Sequence, residues 1–181
     1  KKTLNKALCL LLCLAMLSPA FSLCVFAAGK KPEAVKGLKA ASITAESITL
    51  SWNKTKNADG YRVYCLNKKT GKWVSDGTVT KPQYTDKKLS PGSVYSYRVR
   101  AFSKSGSKKV FGAYSTQLNV LTNPNAASSL KVNSVTGSSI SISWKAGAGA
   151  SVYEVFQRAD GIADFIKVAT VSSTSYKANN L

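Results

Sequence analysis

Arg62, Tyr64, Arg98 and Arg100 stand at alternate positions in two runs whose intervening residues, Tyr61, Val63, Tyr97 and Val99, are apolar or aromatic. If the second set points inward, period-two geometry turns the first set outward. A guanidinium can grip carboxylate, sulfate or phosphate through two parallel hydrogen bonds. A phenol ring offers a face on which a sugar could stack. Lys104, Lys108 and Lys109 follow close behind in the chain and extend the positive charge. The chemistry these residue types suit is anion recognition. The plainer alternative is that outward strand positions often hold Arg and Tyr because their long stems cover a sheet.

Bond-making chemistry is poorly served. The chain has no His, which removes the usual general base and the commonest metal ligand. Its eight acidic residues are scattered, and the nearest trio, Glu154, Asp160 and Asp164, follows no recognisable pattern. No Gly-rich phosphate loop and no Cys cluster occurs. The expectation is therefore no catalytic residue, no metal site and no cofactor.

Charge and compartment narrow the partners. Residues 30–123 carry 18 Lys and Arg against five Asp and Glu, whereas residues 124–181 carry five against three. A small unit so basic is drawn to polyanions, an attraction that weakens with salt. Lys1, Lys2 and Lys6 precede an apolar run, Ala7 to Leu17, then Ser18-Pro19, with small residues Ala27 and Ala28 for cleavage after either. That is the layout of a secretory signal peptide over residues 1–28. Left uncleaved, the apolar stretch 7–28, about 22 positions, would be long enough to span a bilayer. Lipidation at Cys24 is disfavoured by the bulky Leu23 before it. Cys9, Cys13 and Cys24 lie in this leader, so Cys65 alone remains, and the mature chain folds by its core without an internal disulfide. The expected location is the medium or the cell surface. The expected partners are anionic cell-wall polymer or polysaccharide, or other protein modules. No specific nucleic acid is expected, and a membrane only through an uncleaved leader. The unit is expected to be monomeric.

The elements that must position the basic residues appear twice. Trp52 and Trp144 are 92 residues apart, and Leu38/Leu130, Tyr61/Tyr153, Val63/Val155, Tyr84/Tyr176 and Leu89/Leu181 repeat at the same offset. Within the first copy, apolar residues alternate at Ile48, Leu50, Trp52, at Tyr61, Val63, Cys65 and at Tyr95, Tyr97, Val99, Ala101. Turn chemistry separates these runs, as in Asn57-Ala58-Asp59-Gly60 and Ser90-Pro91-Gly92. The pattern predicts an all-β fold of tandem antiparallel sandwiches. Strands are placed at 38–44, 47–53, 60–66, 72–79, 83–86, 94–103 and 110–121. The second copy should carry 130–136, 139–145, 152–157, 164–171 and 175–178. The expected division is a linker at 29–33, a first domain at 34–123, a linker at 124–128 and a second domain at 129–181 lacking the last two strands. The expected core is Trp52, Tyr61, Val63, Leu89, Tyr95, Val99, Trp144 and Tyr153.

The first copy resembles a fibronectin type III domain. The residues that carry the likeness are Leu38, Ile48-Thr49-Leu50-Ser51-Trp52, Gly60-Tyr61-Arg62-Val63-Tyr64, and the run from Leu89-Ser90-Pro91-Gly92 to Tyr95 and on to Ala101. The resemblance covers about residues 34–123. It implies that Tyr95 sends its hydroxyl to backbone near Leu89. It also implies that the third and sixth strands are neighbours, which would gather Arg62, Tyr64, Arg98 and Arg100 on one exposed face. The spelling Ala58-Asp59-Gly60-Tyr61 and the run Lys108 to Ser115 are similar to variants in surface proteins of Gram-positive bacteria. In the second copy the strand holding Tyr153 and Val155 would lack its sheet neighbour, leaving an unpaired edge, so residues 125–181 are not expected to fold stably alone. The function implied is a non-catalytic exported spacer and interaction module. The alternative is an accessory fragment of a secreted polysaccharide or cell-wall hydrolase whose catalytic domain lies outside this chain.

Overall fold

The computed structural model describes residues 30–181, so the leader expected at 1–28 and its cleavage near Ala27 and Ala28 lie outside the described residues. Thirteen strands occur among those described, and no helix. β1 (Lys39–Ile43), β2 (Ser47–Ser51) and β5 (Gln83–Lys87) form one antiparallel sheet in the order β1-β2-β5. β3 (Gly60–Asn67), β4 (Lys72–Val79), β6 (Val94–Ser105), β7 (Lys108–Tyr114) and β8 (Leu118–Leu121) form the other, in the order β4-β3-β6. β7 and β8 share the far edge of β6, β8 beside its first residues and β7 beside its last.

That arrangement corrects the single strand expected at 110–121. Ser115 interrupts it: its backbone N donates to Val99 O at 2.7 Å, and its Oγ accepts from Val99 N at 3.0 Å. A side-chain oxygen takes over a rung of the ladder, and the chain leaves and re-enters the sheet.

The alternating residues meet between the two sheets. Ile48, Leu50, Trp52, Tyr61, Val63, Tyr97, Val99 and Ala101 are buried in one cluster, with Leu89 and Tyr95 half-buried against it. Each fully buried aliphatic side chain here contributes roughly 1.5–3 kcal/mol. Trp52 meets Tyr61 edge to face at 5.3 Å, and Tyr61 Oη accepts a hydrogen bond from Thr55 N at 2.9 Å. At the corner before β6, Tyr95 Oη accepts from Ser90 N at 2.9 Å, next to Leu89. Two phenols tie the sheets: Tyr97 Oη donates to Asp86 Oδ2 at 2.7 Å, and Tyr84 Oη to the carbonyl of Asp76 at 3.1 Å. Gly77 permits the second link, since a Cβ there would clash with the Tyr84 ring.

The later residues repeat the plan with less cover. β9 (Ser128–Val135), β10 (Ser139–Lys145) and β13 (Ser175–Asn179) make a sheet in the order β13-β10-β9, and β11 (Tyr153–Gln157) pairs with β12 (Ile166–Val171). Trp144 meets Tyr153 at 5.4 Å in the geometry of the earlier pair. Both were expected in a core, yet both are only half-buried. The reason is topological. Among the described residues β11 has no partner on the edge that corresponds to the β3 edge taken by β6, so its inner face stays partly open. Leu130, Val132 and Val135 of β9 are more than 60% exposed. Where the halves meet, Gly92 at φ 59° packs against Gly149, and Asn125 N donates to Ala148 O at 2.9 Å.

Candidate functional site

The outward face of the larger sheet is built by register. β3 runs antiparallel to β6 with Arg62 opposite Arg100 and Tyr64 opposite Arg98. β7 adds Tyr114 opposite Arg100 and Phe111 opposite Phe102, and β4 sets Trp73 opposite Leu66. Period two, with one register shift between β6 and β7, gathers three guanidiniums and five rings on one surface.

They interleave. Arg98 lies between Trp73 and Tyr114, 4.2 and 4.0 Å from the ring centroids. Arg100 lies 4.1 Å from Phe111 and 4.7 Å from Tyr114. Arg62 covers Phe111 at 4.8 Å, and Lys109 Nζ sits 4.4 Å from the Phe102 ring. Phe102 and Phe111 touch edge to face at 5.6 Å, as do Tyr64 and Tyr114 at 5.2 Å. A cation over a ring is worth about 0.5–1 kcal/mol at exposed sites and up to ~2 when desolvated, so the ladder stiffens the face as well as charging it.

Tyr64 was expected to be open for stacking. It faces outward, but it is only 7% exposed, because Arg100 and Tyr114 close over it. Arg100 donates to Tyr64 Oη from both Nε (3.1 Å) and Nη2 (2.7 Å). Burial pushes the Tyr64 phenol upward, but hydrogen bonds from Arg100, Arg62 and Tyr114 outweigh it and hold the group below its ordinary value. Arg62, Arg98 and Arg100 are themselves half-buried. Arg62 Nε and Arg98 Nε are buried without a hydrogen-bond partner. Among the described residues the ion pair formed is Lys167–Glu154 at 2.9 Å, away from this face. Three guanidiniums therefore share one surface with rings, and with no carboxylate bonded to them.

Lys104, Lys108 and Lys109 are exposed on the β6–β7 hairpin beside the ladder, with Lys104 opposite Lys109. Asp59 fastens that hairpin: its Oδ2 accepts the Lys104 N–H at 2.6 Å, and its own N–H goes to Phe102 O at 2.9 Å.

The ring partners Trp73, Phe111 and Tyr114 escaped the sequence reading for a definite reason. Phe111 and Tyr114 are three apart and would fall on opposite faces of a regular strand. A register shift between Arg100 and Phe102 puts both on the same side. A second shift, between Val63 and Tyr64, adjusts the registration of β4. Phe102, one residue after the inward Ala101, was within reach of simple alternation.

Residues 32–117 match the family model described as the fibronectin type III domain. Exoglucanase B of Cellulomonas fimi is 29% identical over 167 residues, 81% of this chain and 14% of that protein. A poly(3-hydroxybutyrate) depolymerase of Ralstonia pickettii is 38% identical over 73 residues, 40% of this chain and 14% of that one. An alpha-amylase of Niallia circulans is 35% identical over 88 residues, 47% of this chain and 6% of that one. The chain thus spans a seventh or less of the length of these relatives. Among solved structures, the fibronectin type-III domain of human fibronectin type III domain containing protein 3 aligns with a TM-score of 0.48 and 16% identity, over 54% of this chain and 92% of that one. The FN1-FN3 domains of chicken CNTN1 align with a TM-score of 0.45 and 23% identity, over 84% of this chain and 59% of that one.

Proposed function

The chain carries a fibronectin type III domain at residues 32–117, and from that premise we propose that it is a non-catalytic module of an exported protein. It serves as a spacer and as a contact surface for anionic polymer. Such a fold fixes no reaction by itself, so the reading rests on the site. The observation that carries it is the outward face of β3 and β6, where Arg62, Arg98 and Arg100 stand among rings with no carboxylate bonded to them. Export rests on the leader-like sequence of residues 1–28. The reading also takes residues 34–123 and 129–181 as two units joined by 124–128.

A second reading is favoured by the relatives. All three are named as enzymes acting on polymers, and each matches over a small fraction of its length. On this reading the chain is an accessory part of a secreted polysaccharide hydrolase. Its role would be to hold a catalytic domain near an insoluble substrate.

Retention of the full chain on sulfated or uronate-bearing matrices and on neutral cellulose or starch, measured against salt, separates the two. Retention on the anionic matrices that falls steeply between low and high salt is expected for polymer contact. Salt-indifferent retention on a neutral glucan alone would favour the accessory reading. No retention on any anionic matrix sinks the anion reading.

A further inference from the structure

The guanidinium ladder supplies positive field, but Arg100 spends Nε and Nη2 on Tyr64, and Arg62 and Arg98 lie over rings with their Nε atoms buried. A better seat lies at the end of the same sheet. There the end of β4, the start of β5 and the β6–β7 hairpin enclose a groove of about 630 Å³, lined by Lys81, Lys104, Lys109, Thr78, Thr80 and Gln83 around Phe102. That volume falls inside the ~300–1,000 Å³ usual for ligand sites.

We propose that this groove binds the repeating oxyanion of an acidic glycopolymer, held by the ammonium groups of Lys81, Lys104 and Lys109. The inference rests on the anionic-polymer reading and deepens it. Three positive side chains reach the groove from three different elements, against the single carboxylate of Asp59. An oxygen of that carboxylate is engaged by the Lys104 N–H at 2.6 Å, which fixes the hairpin. Lys109 is steadied over Phe102, and Phe102 is itself 3% exposed. Its ring is covered, so charge and hydroxyl contacts set recognition, without sugar stacking. The threonine hydroxyls and Gln83 add neutral hydrogen-bonding groups to the walls. An ammonium is a compact donor of three hydrogens that takes an oxyanion from many directions. That suits a flexible polymer whose successive charges slide past, better than a single rigid ligand. Phosphodiester, sulfate ester and uronate share this chemistry.

The test uses the full chain and three soluble polymers: a poly(glycerol phosphate), dextran sulfate and polygalacturonate. Affinities are measured by calorimetry at low salt for the wild type, for Lys81→Ser/Lys104→Ser/Lys109→Ser, and for a charge-matched control, Lys36→Ser/Lys39→Ser/Lys87→Ser. The control residues are exposed and lie outside the groove. Loss of three charge-assisted contacts should weaken binding on the order of tenfold or more in the groove variant. The control should lose no more than about threefold, from diminished long-range attraction. Melting temperatures of both variants should stay at the wild-type value. Which polymer loses most identifies the oxyanion. Equal losses in both variants, or none in the groove variant, overturn the groove while leaving the broader reading standing. A wild type that binds none of the three polymers overturns both. Groove-dependent binding to duplex DNA, tighter than to every glycopolymer, overturns the assignment to a glycopolymer.

Discussion

Tyr97 of β6 donates its hydroxyl to Asp86 of β5 at 2.7 Å, joining the two sheets through a carboxylate beside the apolar core. Burial is the main cause that raises the Asp86 carboxyl above its ordinary value, and Asp76 adds to it, while the Tyr97 hydrogen bond opposes. The native state therefore holds the Asp86 proton more tightly than the unfolded chain does. Its contribution to stability is fully present below the unfolded value and is lost as pH rises through the folded one. Tyr97→Phe removes the bond that favours the charged form. It should cost about 1–3 kcal/mol near pH 7 and less in acid. Asp86→Asn should abolish most of that pH dependence and should not lower stability at pH 7. Urea melts of both variants and of the double mutant, from pH 3 to pH 7, check the coupling. A Tyr97→Phe loss that grows in acid contradicts it.

The paired tryptophans should respond unequally. Trp52 is buried among Ile48, Leu50 and Tyr61, and Trp52→Ala should cost roughly 3–5 kcal/mol. Trp144 keeps the same tyrosine contact but is half-open. Trp144→Ala should cost under about half as much, because fewer neighbours are left around a void. Denaturant curves of the full chain, read by far-UV circular dichroism, measure both. Equal costs would mean that the later sheets are better covered than β11's bare edge implies.

Arg100 is the rung on which Tyr64 depends. Arg100→Ser removes both hydrogen bonds that Arg100 makes to the phenol, weakening the influences that oppose burial. The Tyr64 titration, followed by ultraviolet difference against a Tyr64→Phe reference, should therefore move up. Stability should fall by about 1–2 kcal/mol as the stacked cation is lost. Arg100→Lys should recover little, since an ammonium cannot lie flat between Phe111 and Tyr114 while forking onto the phenol. Full rescue by lysine would show that charge alone sufficed.

Cys65 points toward the core and toward two carboxylates. Burial first, then Asp76 and Asp86, push its thiol up to about 11. At pH 8 the native thiol should carry little thiolate, and iodoacetamide should label it on the order of 100-fold more slowly than in the urea-unfolded chain. Peptide mass spectrometry separates it from Cys9, Cys13 and Cys24. Rapid native labelling would mean that the cluster opens readily.

Much of this was legible because side chains obey a strict period where strands are regular. Tyr61, Val63, Tyr97 and Val99 face the core, and Arg62, Arg98 and Arg100 face away, as their alternation required. What alternation could not supply came from its interruptions. Ser115 splits one expected strand into β7 and β8 by substituting a side-chain oxygen for a backbone rung. The shift beside Arg100 turns Phe111 and Tyr114 to the same face, and that crowding buries Tyr64. Trp144 shows the other limit: a residue can occupy the right position in a repeat and still lack the strand that would cover it. Lys81 carried no signal at all, since it sits between strands and joins Lys104 and Lys109 only through the fold.

The chain lacks histidine, the one side chain whose ordinary titration falls between about pH 5 and 8. The cationic surface therefore has no switch that a souring environment could throw. Mild acid would leave its own charge as it was, whereas a rise in dissolved ions would weaken its attraction for polyanions. A surface charged in this way would answer to ionic strength far more than to mild acidity.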